Sequence, residues 1–179
     1  DLCDDSLLIE NRNADGEIRF GILESIRQYA NEQLIDQNSI GHNLSGPIAR
    51  IETQQRHSTH YSQYGDKSFL EDLDNSETKH QWNHFFEELE NFIIGIEYGA
   101  GNDAFKCCMA ALKILSMKGP VSLGVDLAGS VLVRRDISES AKKQLSIAQI
   151  RFLRFLRDFP IDFPRKNNEN LMENPIYFL

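Results

Sequence analysis

Cysteine is scarce in this chain of 179 residues: three occur, Cys3 and the adjacent pair Cys107 and Cys108. Neighbours in sequence bridge only with strain, so the chain offers no disulfide framework and a reducing compartment is expected. Long apolar runs are missing too. No stretch approaches the roughly 20 residues of a membrane span. The opening Asp1-Leu2-Cys3-Asp4-Asp5 has neither the basic front nor the apolar middle of a signal peptide. A cytoplasmic protein without a membrane partner is the expectation. Positive charge is in deficit: 19 Lys and Arg stand against 27 Asp and Glu, a formal net charge of −8. Phosphate contacts draw on an excess of cations, so this balance argues against DNA as a partner. No Gly-x-x-x-x-Gly-Lys-Ser/Thr run occurs, so the backbone cradle and Lys that hold nucleotide phosphates are lacking from these residues. The chain also opens on Asp rather than Met, which suggests a segment of a longer polypeptide.

What is present is globular. A hydrophobic fraction of 41% and a charged fraction of 26% exclude wholesale disorder. Ser6–Glu10 and Glu17–Ile22 are strand-length, and the Asp15-Gly16 turn between them predicts a β-hairpin. Leu23, Ile26, Ala30 and Leu34 recur at spacings of three and four, predicting a helix to Ile35 whose apolar face, with Tyr29, anchors the hairpin. A polar helix is expected over 48–64, with Ile51, Ser58, Tyr61 and Tyr64 as a thin buried stripe. Asp72–Ser76 reads as a loop, with Asn75 or Ser76 capping a helix that reaches Phe86. Glu87–Gly99 places Leu89, Phe92, Ile93 and Ile96 on one face, and a break before it is not decided by periodicity.

Asp103 is expected to cap a helix whose stripe is Phe105, Cys108, Met109, Leu112 and Leu115, stopped by Lys118-Gly119-Pro120. Further helices follow over 121–134 and 139–158. The last carries Leu145, Ala148, Phe152, Phe155 and Phe159 on one side. The tail from Pro160 to Leu179 reads as irregular. The expected fold class is mainly α, with helical hairpins stacked as an array because each helix has one apolar side to bury.

Several side chains invite a chemistry. His57 and His60, and His80 and His84, each place two imidazoles on one helix face, the geometry of a zinc pair, with Glu87 or Glu88 as a base. A metal-dependent hydrolase is the alternative they support. With no His-Glu-x-x-His run, packing and surface histidines are the favoured reading, and no metal or cofactor is assigned. Cys108 lies on an apolar stripe, where Cys serves as a small hydrophobe. Glu87, Glu88 and Glu90 read as a solvated face rather than an acid–base pair.

Arg19-Phe20-Gly21-Ile22-Leu23-Glu24-Ser25-Ile26-Arg27-Gln28-Tyr29-Ala30 resembles a signature of bacterial STAND regulators, the signal-transducing ATPases with numerous domains. In that family the run closes a winged-helix subdomain ahead of a tetratricopeptide-like helical region. Asp5-Ser6-Leu7-Leu8 resembles the family's strand entry, departing at the position where a Lys is usual. Arg56-His57 with Tyr61, and Trp82 with Glu88–Phe92, are similar to segments further along, in the same order. The resemblance implies the end of a winged helix over 1–37, a tetratricopeptide-like region over 38–159 and an unmatched tail over 160–179. It implies a non-enzymatic signalling role: relaying a protein partner or effector to the chain's own ATPase module, with Arg27 bridging towards that module. Interaction residues expected on this reading are Arg27, Tyr29, Phe152, Phe155 and Phe159. The aromatic side of the last helix is either core or docking surface; the Ile176–Leu179 end of the tail folding over it and a homodimer through it are the competing expectations.

Overall fold

A computed structural model describes residues 7–12, 16, 18–36, 45–75 and 79–158. They form a two-stranded sheet and eight α-helices, so the fold is mainly helical with a small antiparallel ribbon at its start. The chain divides into two compact units, one running to Thr53 and the other from Gln54 onward.

The first unit contains β1 (Leu8–Arg12), β2 (Ile18–Ile22) and α1 (Glu24–Ile35). The strands pair antiparallel with Leu8 opposite Ile22 and Arg12 opposite Ile18. Gly16, at φ +83°, supplies the left-handed turn residue; the rest of the expected turn, Asn13 to Asp15, lies outside the described residues. The expected anchoring face of α1 is not buried. Leu23 is 44% and Tyr29 61% exposed, Ala30 is exposed and Ile26 half-buried, whereas Arg27 is buried. Two short strands present too little apolar surface to cover a helix face, and Phe20 on the ribbon is itself 60% exposed. The Arg27 guanidinium pairs with Glu24 one turn earlier on α1.

The helix α2 (Pro47–Ser62) follows, and its start is tied to the end of α1 by the Gly46 N–H donating to the Leu34 carbonyl at 2.6 Å. Ile51 is exposed, so the expected stripe begins only at Ser58. Ser58 is fully buried because Gly95 and Gly99 present no side chain to it: a Cβ on Gly99 would stand 3.1 Å from that of Ser58.

A 3₁₀ turn, Gln63–Gly65, leads into α3 (Lys67–Asn75), where a loop was expected over Asp72–Ser76. Phe69, Leu70 and Leu73 share a face at helical spacing, and burial of Leu73 outweighs the loop-like Asp72 and Asp74 beside it. After α4 (Lys79–Glu87), a turn at Glu88 separates α5 (Leu89–Tyr98), which settles the undecided break. The expected cap at Ser76 lies outside the described residues.

The centre of the second unit is α6 (Gly101–Lys118), packed against α5, α7 (Val121–Leu132) and α8 (Glu139–Asp158). Its N-cap is Ala100; Asp103 sits inside the first turn and accepts a hydrogen bond from Thr59 Oγ1 at 2.8 Å instead of capping. The single stripe expected for α6 is also too narrow. Ala104, Cys107, Ala110, Ala111 and Ile114 are buried along with Cys108, Leu112 and Leu115, as befits a helix covered on most sides. Gly119, at φ +68°, ends it with its N–H on the Leu115 carbonyl. Successive helices from α5 to α8 pack pairwise, and α5 also meets α7 as α6 meets α8, which is how stacked hairpins bury their faces. Ser138 caps α8, its Oγ accepting from the Ala141 N–H at 3.2 Å.

Candidate functional site

On α6, Met109, Leu112, Lys113 and Ser116 fall at helical spacing and face one way. On α8, Ala148, Arg151, Phe152 and Phe155 do the same. Between these two rows, with Leu70 of α3 and Val121 of α7 closing the ends, lies a groove of about 400 Å³. That volume is within the range of sites that take a small molecule or a few large side chains, roughly 300–1,000 Å³.

The floor and the wall differ in kind. Phe152 is 7% exposed and belongs to the core, packed over the small-residue face of α7 formed by Gly124 and Ala128. Phe155, one turn on, is 46% exposed and stands at the groove's open side. Phe159 lies outside the described residues. The three aromatics expected to act together thus divide, one structural and one accessible. Two cations stand beside the apolar surface. Lys113 pairs with Asp74 of α3 and lies 5.7 Å from the ring of Trp82, the single tryptophan. Arg151 makes no ion pair among the described residues.

The histidines serve elsewhere. His57 Nε2–H donates to Asn91 Oδ1 at 3.2 Å, and Asn91 Nδ2 donates in turn to Glu88 Oε2 at 2.6 Å. The imidazole is therefore held as the Nε2–H tautomer, and its Nδ1 is a buried acceptor with no hydrogen-bond partner among the described residues. Burial lowers the His57 pKa from 6.5, the neighbouring His60 lowers it further, and Asn91 and Glu88 oppose both. His60 packs edge-on against Tyr61, and His84 Nδ1 lies 3.9 Å from Glu88 Oε1. The His80 side chain lies outside the described residues. No group of three or more His, Cys, Asp and Glu is placed to hold a metal ion among the described residues. Glu88, expected on a solvated face, is buried instead, because the turn between α4 and α5 draws it inward to Asn91. Cys107 and Cys108 are both fully buried, and burial pushes each thiol up to about 12.

A second constellation, unseen in the sequence, joins the connection between α5 and α6 to that between α7 and α8. Arg134 donates from Nη1 to the Ile96 carbonyl at 2.9 Å and from Nη2 to the Gly99 carbonyl at 2.7 Å. Asp136 pairs with the same guanidinium at 2.8 and 3.0 Å and accepts from the Gly101 N–H at 2.8 Å. Carbonyls at the end of α5 thereby receive a cation and the first amide of α6 receives an anion, matching both helix dipoles. The Arg134 and Gly101 hydrogen bonds hold the Asp136 carboxyl well below the usual carboxylate range.

No protein-family model matches this chain, and neither a curated protein nor a solved structure matches it.

Proposed function

We propose that the chain is a non-catalytic regulatory and protein-interaction segment of a STAND-type ATPase regulator. In this reading the ribbon and α1 are the end of a winged-helix subdomain, and the helices from α2 onward are a tetratricopeptide-like region. The chain passes partner or effector binding to a nucleotide-binding module outside these 179 residues.

One observation carries the interaction role: two helices of the stacked array hold open an apolar groove beside Lys113 and Arg151, with Phe155 half-exposed at its side. An apolar floor with a few polar groups near it suits an inserted apolar side chain accompanied by an acidic residue. Support for the STAND assignment is the resemblance of Arg19–Ala30. The test begins with the residues encoded before Asp1, where a phosphate loop is expected about 250–300 residues upstream. In that longer protein, Arg27→Ala and Phe155→Asp are expected to change ATP turnover about fivefold or more, the scale of a coupling energy near 1 kcal/mol. Lack of the loop, or turnover unchanged in both variants, overturns the reading.

A further inference from the structure

We propose that the outer face of α8, turned away from the core, is a second interaction surface whose occupant is an acidic amphipathic helix of a protein partner. It lies on the far side of α8 from Phe152, so the inference does not depend on what the groove holds. Nor does it involve residues 159–179, which lie outside the described residues.

Leu145 and Phe152 fix the inward direction of α8, since both are buried. With 3.6 residues per turn, Lys143, Ile147, Ile150, Arg154 and Arg157 fall on the opposite side. All five are exposed, Ile147 at 54% and Ile150 at 47%. The solvent side of a surface helix is ordinarily polar. Here two isoleucines one turn apart occupy its middle. Along this row the intervals are four, three, four and three residues, the spacing of a seam by which one helix packs lengthwise on another.

Charge selects the occupant. The eighteen residues from Ser140 to Arg157 carry five cations and no acid, in a chain whose net charge is −8. Lys142 is paired with Glu139 and Arg157 with Asp158, whereas Lys143 and Arg154 make no ion pair among the described residues. These two cations bracket the isoleucines, one turn before Ile147 and one turn after Ile150. A second copy of the chain fits badly. Laid antiparallel with the isoleucines in contact, Lys143 of one copy would face Arg154 of the other; laid parallel, Arg154 would face Arg154, and like charges so opposed are costly. Nucleic acid would use the cations and leave the isoleucines idle. An anionic bilayer would have to accept a chain of net charge −8 at its surface. A helix carrying an apolar pair between acidic residues satisfies both the isoleucines and the cations.

The probe is a synthetic helical peptide of about three heptads, with leucine at two consecutive seam positions and glutamate at the seam positions on either side. With carbon-13 methyl labels on isoleucine in the full chain, its addition should shift Ile147 and Ile150 and leave the buried Ile114 in place. The same peptide with lysine for glutamate should bind at least about tenfold more weakly. Arg154→Glu should weaken the glutamate peptide about tenfold and strengthen the lysine peptide, a reversal that a folding defect does not produce. Ile147→Gln should weaken the glutamate peptide by about tenfold as well. The proposal is overturned if the two peptides bind alike, if Ile147 and Ile150 stay in place, or if their signals move with protein concentration alone, the mark of a second copy. It is equally overturned if duplex DNA or vesicles of anionic phospholipid shift Ile147 and Ile150 where the glutamate peptide does not. Loss of peptide binding in Phe155→Asp, with Arg154→Glu without effect, would put the helix in the groove, ending this inference and leaving the interaction reading in place.

Discussion

Phe152 of α8 lies so close over Gly124 of α7 that a Cβ on Gly124 would stand 2.6 Å from Phe152 Cδ1 and 3.1 Å from Cζ. The ring is 7% exposed, so it has little room to yield. Gly124→Ala gains about 1 kcal/mol in helix propensity but overpacks this contact, at a cost of roughly 1–3 kcal/mol. A net loss of about 1 kcal/mol in urea unfolding is expected. Phe152→Leu placed in the Gly124→Ala background should cost less than the two changes summed. Strict additivity would contradict the contact.

Arg134 and Asp136 hold two inter-helix connections with one ion pair. Arg134→Ala leaves the carbonyls of Ile96 and Gly99 without their cation and is expected to cost about 2 kcal/mol, the scale of hydrogen bonds to a charged group. Arg134→Lys should recover only part of this, because an ammonium lacks the fork that spans both carbonyls and the carboxylate. Amide hydrogen exchange at the start of α6 reads the same event: faster exchange at Gly101 and Asn102 is expected in both variants. Unchanged exchange there would dismiss the clamp.

Helical periodicity made most of this fold legible, and the exceptions have physical reasons. The α8 stripe was readable through Leu145 and Phe152, both buried, whereas Phe155 carries the same spacing onto a surface where it is 46% exposed. Helix α3 was hidden by Asp72 and Asp74, loop-like residues that here face solvent around Leu73. On α1 the apolar spacing was sound as a helix signal and wrong as a burial signal, since the ribbon beside it is too small to cover Leu23 and Tyr29. The Arg134 clamp joins residues 35 and 38 positions apart, and the groove is lined from four different helices, relations to which local spacing is blind. A hint existed in Gly124, Ala128 and Gly129. Small residues at helical spacing announce a close neighbour, and Gln149 reaches past Gly129 to donate to the Val125 carbonyl at 3.1 Å.

Cys107 and Cys108 should be inert while the chain is folded. With both thiols pushed up to about 12, the thiolate at pH 8 is scarcer by about three orders of magnitude than for a free cysteine, and burial closes the approach as well. Mass spectrometry after iodoacetamide treatment is expected to find neither modified in native buffer and both modified in concentrated urea. Alkylation of Cys107 in the native chain at the rate of a free thiol would show that α6 is not covered as described. Adding bulk is also poorly tolerated here: a Cβ on Gly95 would already stand 3.2 Å from Cys107 Cβ.

His57 predicts how stability depends on acidity. Its folded-state pKa lies below 6.5 because burial disfavours the imidazolium, so the unfolded chain binds more protons than the folded one between that lowered value and 6.5. Stability therefore falls as pH drops through 6.5 towards the folded pKa, and its slope flattens below it. The groups that set this balance are His60 on α2, with Asn91 of α5 and Glu88 at its start, the last two opposing the loss. His57→Gln can still donate to Asn91 and does not titrate, so its urea midpoint should stay level across this window where the native midpoint declines. His60→Gln, which leaves the buried ring in place, should keep the decline. A native chain equally stable at pH 7 and about pH 5.5 would mean that His57 meets a proton acceptor on Nδ1 rather than the unpartnered burial seen here.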